Sequence, residues 1–213
     1  MVPKAPAIEA VSVEGPAGIL EARVETPAQD SGDRVAVICH PHPQYGGTMD
    51  NKVVHTVAAG FRDRGIPSVR FNFRGVGSSD GAFDDGRGET EDLKAVVRYA
   101  QQRLPARGVW LGGFSFGSGI AARLANSVAN LGLVLVAPPV SMEYFSGVNL
   151  PAGSLVVHGD RDELIPLNAV EQWLDRRGLK HCLQVVAGAD HFFHGQLRLL
   201  RQLVVAHVPA GGP

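Results

Sequence analysis

The sequence predicts an α/β fold: a mostly parallel, twisted sheet with an N-terminal β-hairpin and helices on both faces. Three observations carry this. After an opening pair of strand-like segments, strand and helix patterns alternate to the end of the chain, as they do in βαβ units. Some strand candidates, such as Val35–Cys39, are short and wholly apolar, as in strands covered on both faces. The 213 residues, 45% of them hydrophobic, fill one sizeable core better than two small ones, so a single domain over 1–213 is expected.

Element by element, Ile8–Val13, the turn Glu14-Gly15-Pro16 and Ile19–Val24 read as the hairpin. Val35–Cys39 is a strand, and Asn51–Arg64 a helix ended by Gly65 and Pro67. Ser68–Phe73 is a strand closed by the turn Arg74-Gly75-Val76-Gly77. Glu89–Leu104 carries Leu93, Val96, Val97, Ala100 and Leu104 at helical spacing. Its acidic start (Glu89, Glu91, Asp92) suits the positive end of the helix dipole. Val109–Gly112 is a strand and Phe116–Ala129 a helix of small residues. Leu131–Ala137 is a strand stopped by Pro138-Pro139, and Ser154–His158 is another. Leu167–Arg177 is a helix closed by Gly178, Leu183–Val186 the last strand, and Gln196–His207 the last helix, with Leu197, Leu200, Leu203 and Val204 on one face. The ends, 1–7 and 209–213, are rich in Pro, Gly and Ala and are expected to fray.

Composition narrows the function. A formal net charge of −1 leaves no basic excess for nucleic acid. There is no secretory h-region and no run near the roughly 18–20 apolar residues of a membrane span, so a soluble, cytoplasmic protein is expected. Cys39 and Cys182 read as two buried free thiols rather than a disulfide framework. The apolar face of the last helix makes a homodimer an option.

The sharpest signal is Gly113-Phe114-Ser115-Phe116-Gly117, between a strand and a helix rich in small residues. A serine on such a strand-to-helix turn is thrust out in a strained backbone, and glycines flank it because side chains there would collide with neighbouring elements. The alternative is a Gly-rich turn with an idle serine. A serine needs a base, and His191, in Ala187-Gly188-Ala189-Asp190-His191, follows the last strand and its tight turn; His194 is the rival. The base needs a carboxylate. Asp160, Asp162 and Glu163 follow the strand ending at His158, in the chain order Ser, acid, His, although one aspartate here can simply cap the next helix.

An oxyanion hole would take the N–H of Phe116 and one donor from the loop His40-Pro41-His42-Pro43-Gln44-Tyr45-Gly46-Gly47. Prolines have no N–H, which leaves His42 first, with Gln44 or Tyr45 behind it. His40 and His42 are also spaced to share a metal, but no third and fourth ligand accompany them, so no metal is expected. The turn from Arg74 to Gly81 lacks the glycine spacing and lysine of a phosphate loop and reads as structural.

Together these segments, with Asn72-Phe73-Arg74-Gly75-Val76-Gly77-Ser78-Ser79, resemble the α/β-hydrolase superfamily, and within it the small dienelactone-hydrolase-like bacterial members. The resemblance runs from about Val11 to His207. It implies a cofactor-free serine hydrolase and assigns the acid to Asp162, the second aspartate of the His158-Gly159-Asp160-Arg161-Asp162 pattern, and the base to His191. Dienelactone hydrolases proper carry a cysteine where Ser115 stands, and the usual His-Gly of the oxyanion loop is His-Pro-His-Pro here. Lids in this fold follow the strand that here ends at Ala137. Only residues 138–153 intervene, too few for a helical cap, though Met142, Tyr144 and Phe145 are expected to hang over the site. The expected function is a carboxylesterase for small-molecule acyl esters, with a thioesterase, lactonase or peptidase on the same triad as alternatives, and an idle binding scaffold as the alternative of another class.

Overall fold

In the computed structural model, which describes residues 7–29, 32–104, 106–151 and 153–210, eight strands form one sheet in the order β1-β2-β4-β3-β5-β6-β7-β8. They are β1 Ala7–Gly15, β2 Gly18–Thr26, β3 Arg34–Cys39, β4 Ser68–Phe71, β5 Gly108–Phe114, β6 Gly132–Val136, β7 Leu155–Gly159 and β8 Leu183–Val186. β1 and β2 form the antiparallel hairpin, β2 joins β4 antiparallel, and the remaining pairs are parallel. The fraying expected of residues 1–6 and 211–213 lies outside the described residues. Every residue of β4, β6 and β7 is buried, and so is all of β3 beyond Arg34, which is why β3 and β6 read as continuous apolar runs rather than as alternating ones, while β4 buries Ser68 and Arg70 as well.

Among the described residues five helices cover the sheet: α1 Lys52–Asp63, α2 Arg87–Arg103, α3 Phe116–Ala125, α4 Leu167–Asp175 and α5 Leu197–His207. α1 packs on α5 over one face, and α2 packs on α3 over the other. The apolar face of α5 that suggested a homodimer is used inside the fold: Leu200 and Val204 are fully buried, and Leu197 and Leu203 pack against the core. No helix among the described residues is long and apolar enough to cross a membrane.

Several boundaries differ from the sequence expectation for local reasons. α1 starts one residue late because Asn51 is its cap, its side chain accepting from Val53 N–H at 2.8 Å. α3 stops at Ala125 instead of Ala129, where Asn130 turns back to hydrogen-bond the carbonyls of Ala125 and Val128. Asp92 does not serve the α2 dipole. It is buried and takes Arg74 side-on, through Nε at 3.0 Å and Nη2 at 2.7 Å, pinning the turn after β4. Glu89 does work at the helix start, accepting from the N–H groups of Asp84 and Gly86 at 2.9 and 2.8 Å.

Candidate active site

The carboxyl ends of the parallel strands gather the candidate residues. Ser115 sits between the last residue of β5 and the first of α3, with φ 50° and ψ −121°, a backbone state that costs about 1–3 kcal/mol and persists only where the surroundings enforce it. Its N–H donates to Val136 O at 2.8 Å, and its carbonyl accepts from Ser118 N–H at 2.9 Å. The flanking glycines are forced by close approach. A Cβ on Gly113 would lie 2.2 Å from Gly117 O, and one on Gly117 would lie 2.4 Å from His40 O. The serine is half-buried, so its hydroxyl remains reachable.

The loop after β8 brings His191 to this hydroxyl. Its Nε2 lies 3.2 Å from Ser115 Oγ, and its Nδ1 lies 2.8 Å from Asp162 Oδ2. With Nδ1–H donating to the carboxylate, the Nε2 lone pair is left facing the serine hydroxyl. The other oxygen of Asp162 accepts from the N–H groups of Leu164 and Ile165 at 2.9 and 2.8 Å. The helix-capping reading of these aspartates is not met: Asp162 ties the turn at residues 162–165, before the helix, and not the helix start itself. α4 begins at Leu167 with Pro166 as an uncapped N-cap. Burial raises the Asp162 pKa, but the His191 hydrogen bond and the two backbone donors outweigh it and hold the carboxyl below its usual value. The rivals are engaged elsewhere. Asp160 accepts from Gly188 N–H at 2.6 Å, and Glu163 reaches only the backbone N–H of His191 at 3.4 Å. His194 is exposed and bonded to Asp190 at 2.6 Å.

The loop after β3 narrows the choice of second oxyanion donor. Gln44 N–H donates to the His42 ring Nδ1 at 3.3 Å, and Tyr45 N–H donates to His42 O at 3.1 Å, so both alternatives are spent inside a single turn of 3-10 helix, Pro43–Tyr45. The His42 N–H meets no acceptor among the described residues, and Phe116 N–H, first in its helix, has no carbonyl one turn earlier to bond. The His42 ring lies 4.9 Å from that of Phe116. The metal reading of the His-x-His spacing gives way to a structural one. His40 is fully buried, its Nδ1–H donates to Pro41 O at 2.6 Å, and its Nε2 accepts from Phe73 N–H at 3.0 Å. Burial lowers its pKa to about 4, so it is neutral across the physiological range.

Sequence reasoning missed His158. It is fully buried, its Nε2–H donates to Ile165 O at 2.9 Å, and that nitrogen lies 3.7 Å from Asp162 Oδ2, behind the carboxylate. Only its place in the His158-Gly159-Asp160-Arg161-Asp162 run hinted at this. Also missed was a cleft of about 610 Å³ that opens beside His42 and Phe116, walled by residues 83–87, α3 and the segment 142–146. Tyr144 hangs over Phe116 as expected, with ring centroids 5.2 Å apart. Phe145 does not. It is buried against Trp173 at 5.5 Å and anchors the segment instead.

The family described as the alpha/beta hydrolase fold matches residues 37–152. The chain belongs to this α/β hydrolase family. It is similar over most of its length to a solved α/β serine hydrolase without lid from Xanthomonas campestris, XC6422, at 39% identity, 97% coverage of this chain and 96% of that one, with a TM-score of 0.89. An α/β serine hydrolase homologue from Coxiella burnetii is 42% identical, with 94% and 97% coverage and a TM-score of 0.86. The uncharacterized protein RP471 of Rickettsia prowazekii is 34% identical over 190 residues, 84% of this chain and 79% of that one. As an α/β hydrolase the chain has general hydrolytic function, and no cap is present among the described residues. Among the described residues, between β6 and β7, there is only one turn of 3-10 helix, Glu143–Phe145.

Proposed function

We propose that this α/β hydrolase is a serine carboxylesterase for small acyl esters, close in type to the small dienelactone-hydrolase-like members but with Ser115 as the nucleophile. The observation that carries the reading is the continuous hydrogen-bonded chain from Ser115 Oγ through His191 to Asp162, whose far oxygen is held by two backbone N–H groups. His191 takes the proton as Ser115 Oγ attacks the ester carbonyl, and Asp162 stabilises the resulting imidazolium. The N–H groups of Phe116 and His42 receive the oxyanion, each such donor being worth about 3–4 kcal/mol in the transition state. His191 then gives its proton to the departing alkoxide, leaving an acyl-serine. Water, deprotonated by the same imidazole, attacks the acyl group and returns the serine.

The test requires no guess about the substrate. A fluorophosphonate probe is reacted with the protein and the labelled peptide is mapped by mass spectrometry. Label on Ser115 that disappears in His191→Ala is expected. Absence of label on well-folded protein would overturn the enzymatic reading in favour of a binding scaffold.

A further inference from the structure

We propose that the cleft beside the oxyanion loop is the acyl site, and that it is built for a planar aromatic acyl group bearing neutral polar substituents. This rests on the esterase reading above and names its substrate class.

The topology decides which half of an ester enters the cleft. His191 must protonate the leaving oxygen, so the alcohol lies on its side. That side is the loop leading into α5, where His191 packs against Phe114 and Phe192. The cleft lies beside α3 and the start of α2, on the face opposite α1 and α5; its walls contain none of Ser115, His191 and Asp162, and it meets the site through Phe116, the residue after Ser115. Its inner end is formed by His42 and Phe116, the two residues whose N–H groups would hold the carbonyl oxygen. The acyl substituent is the part that faces it.

The lining selects the kind of acyl group. At about 610 Å³ the cleft lies within the roughly 300–1,000 Å³ of small-molecule sites, and an acetyl group would leave most of it to water. Its inner wall is a set of rings in mutual contact: His42 and Phe83 at 4.9 Å, Phe83 and Phe116 at 5.9 Å, and Phe116 and Tyr144 at 5.2 Å edge-on. Rings disposed in this way offer edges and faces to a further ring. Toward the mouth the lining turns polar, with two cations, Arg87 and Arg123, and two carboxylates, Asp85 and Glu143. Their charges cancel, which favours hydroxyl-type substituents over an ionic end group. Tyr144 has no hydrogen-bond partner among the described residues, and burial raises its pKa to about 12, so its hydroxyl stays a neutral donor.

The experiment is a series of para-nitrophenyl esters with acetyl, butyryl, benzoyl and para-hydroxybenzoyl groups, each kcat/KM divided by the ester's rate of alkaline hydrolysis. The expected result is a normalised preference for the aryl groups of about tenfold or more. Tyr144→Ala and, separately, Phe83→Ala should each lower the aryl-to-acetyl ratio about threefold to tenfold. A normalised acetyl rate equal to or above the aryl rates overturns the proposal while leaving the esterase reading intact. An unchanged ratio in both folded variants does the same. No hydrolysis of any ester, with no fluorophosphonate label on Ser115, overturns both.

Discussion

Mild acid should destabilise this chain through His40, the imidazole that holds the start of the loop proposed to supply an oxyanion donor. In the folded protein, burial lowers its pKa from 6.5 to about 4, because a charged ring could not be hydrated there. At about 1.4 kcal/mol per pH unit, that separation is worth about 3 kcal/mol. The sign follows from proton uptake. Above about pH 6.5 both states are neutral at this site and the stability is whole. As the pH falls from about 6.5 toward 4, only the unfolded chain binds the proton, so stability is lost, and below about 4 this group takes no more. About 2 kcal/mol of the loss falls between pH 6.5 and 4.5. Urea unfolding, followed by circular dichroism across that window, would measure it in the wild type and in His40→Gln. The variant starts less stable, because the Pro41 carbonyl loses its donor, but it should lack this part of the slope. Carboxylates that titrate in the same window contribute equally to both proteins and cancel in the difference. Parallel loss of stability in the two proteins would refute the reasoning.

Three further outcomes are expected. Ser115→Ala should remove about six orders of magnitude in turnover and Asp162→Asn about four, read with an aryl ester, and a larger loss in Asp160→Asn would show the acid to be misassigned. His158→Phe should cost about 1–3 kcal/mol in chemical denaturation, because Ile165 O loses its donor, and should lower kcat through the Asp162 turn; unchanged kcat in a folded variant would limit His158 to packing. Gly117→Ala should lower stability by about 1–3 kcal/mol in a thermal melt, since its methyl would press on His40 O, and a melt matching the wild type would refute the close approach.

What was legible in the sequence and what was not divide along physical lines. The elbow at Ser115, the turn before His191 and the carboxylates after β7 are punctuated by glycines at strand ends, and chain order alone places them at one end of a parallel sheet. The narrowing of the proposed donor to His42 was half legible. Proline excluded two positions, but only the folded turn shows that Gln44 and Tyr45 N–H groups are consumed. Asp92 was read as a helix-dipole partner because nothing in its neighbourhood announces Arg74, eighteen residues earlier, as its ligand. The cleft was invisible because four separate segments build it, and periodicity carries no information about such convergence.

The far end of the oxyanion loop raises a question that packing alone does not answer: why a guanidinium is buried beneath it. Arg70 is fully buried and pairs with Glu25, which also takes Arg62 at 2.7 Å. A buried ion pair returns little net stability relative to apolar residues of similar volume, yet removing one partner costs about 3–5 kcal/mol. What Arg70 does supply is a donor to the carbonyl of Met49, while Asn72 Oδ1 accepts from Met49 N–H at 2.8 Å. Met49 is thereby gripped on both sides of its backbone, as Pro41 is gripped by His40 at the loop's start. Arg70→Met alone should therefore lose about 3–5 kcal/mol, and adding Glu25→Met should restore most of it, since Arg62 is partly exposed and can turn to water. If the pair serves to position the loop, kcat should stay about tenfold or more below wild type in the double variant despite its recovered stability, because a displaced oxyanion donor is costly even when the fold is sound. Full kcat in that variant would mean that Asn72 and His40 hold the loop unaided.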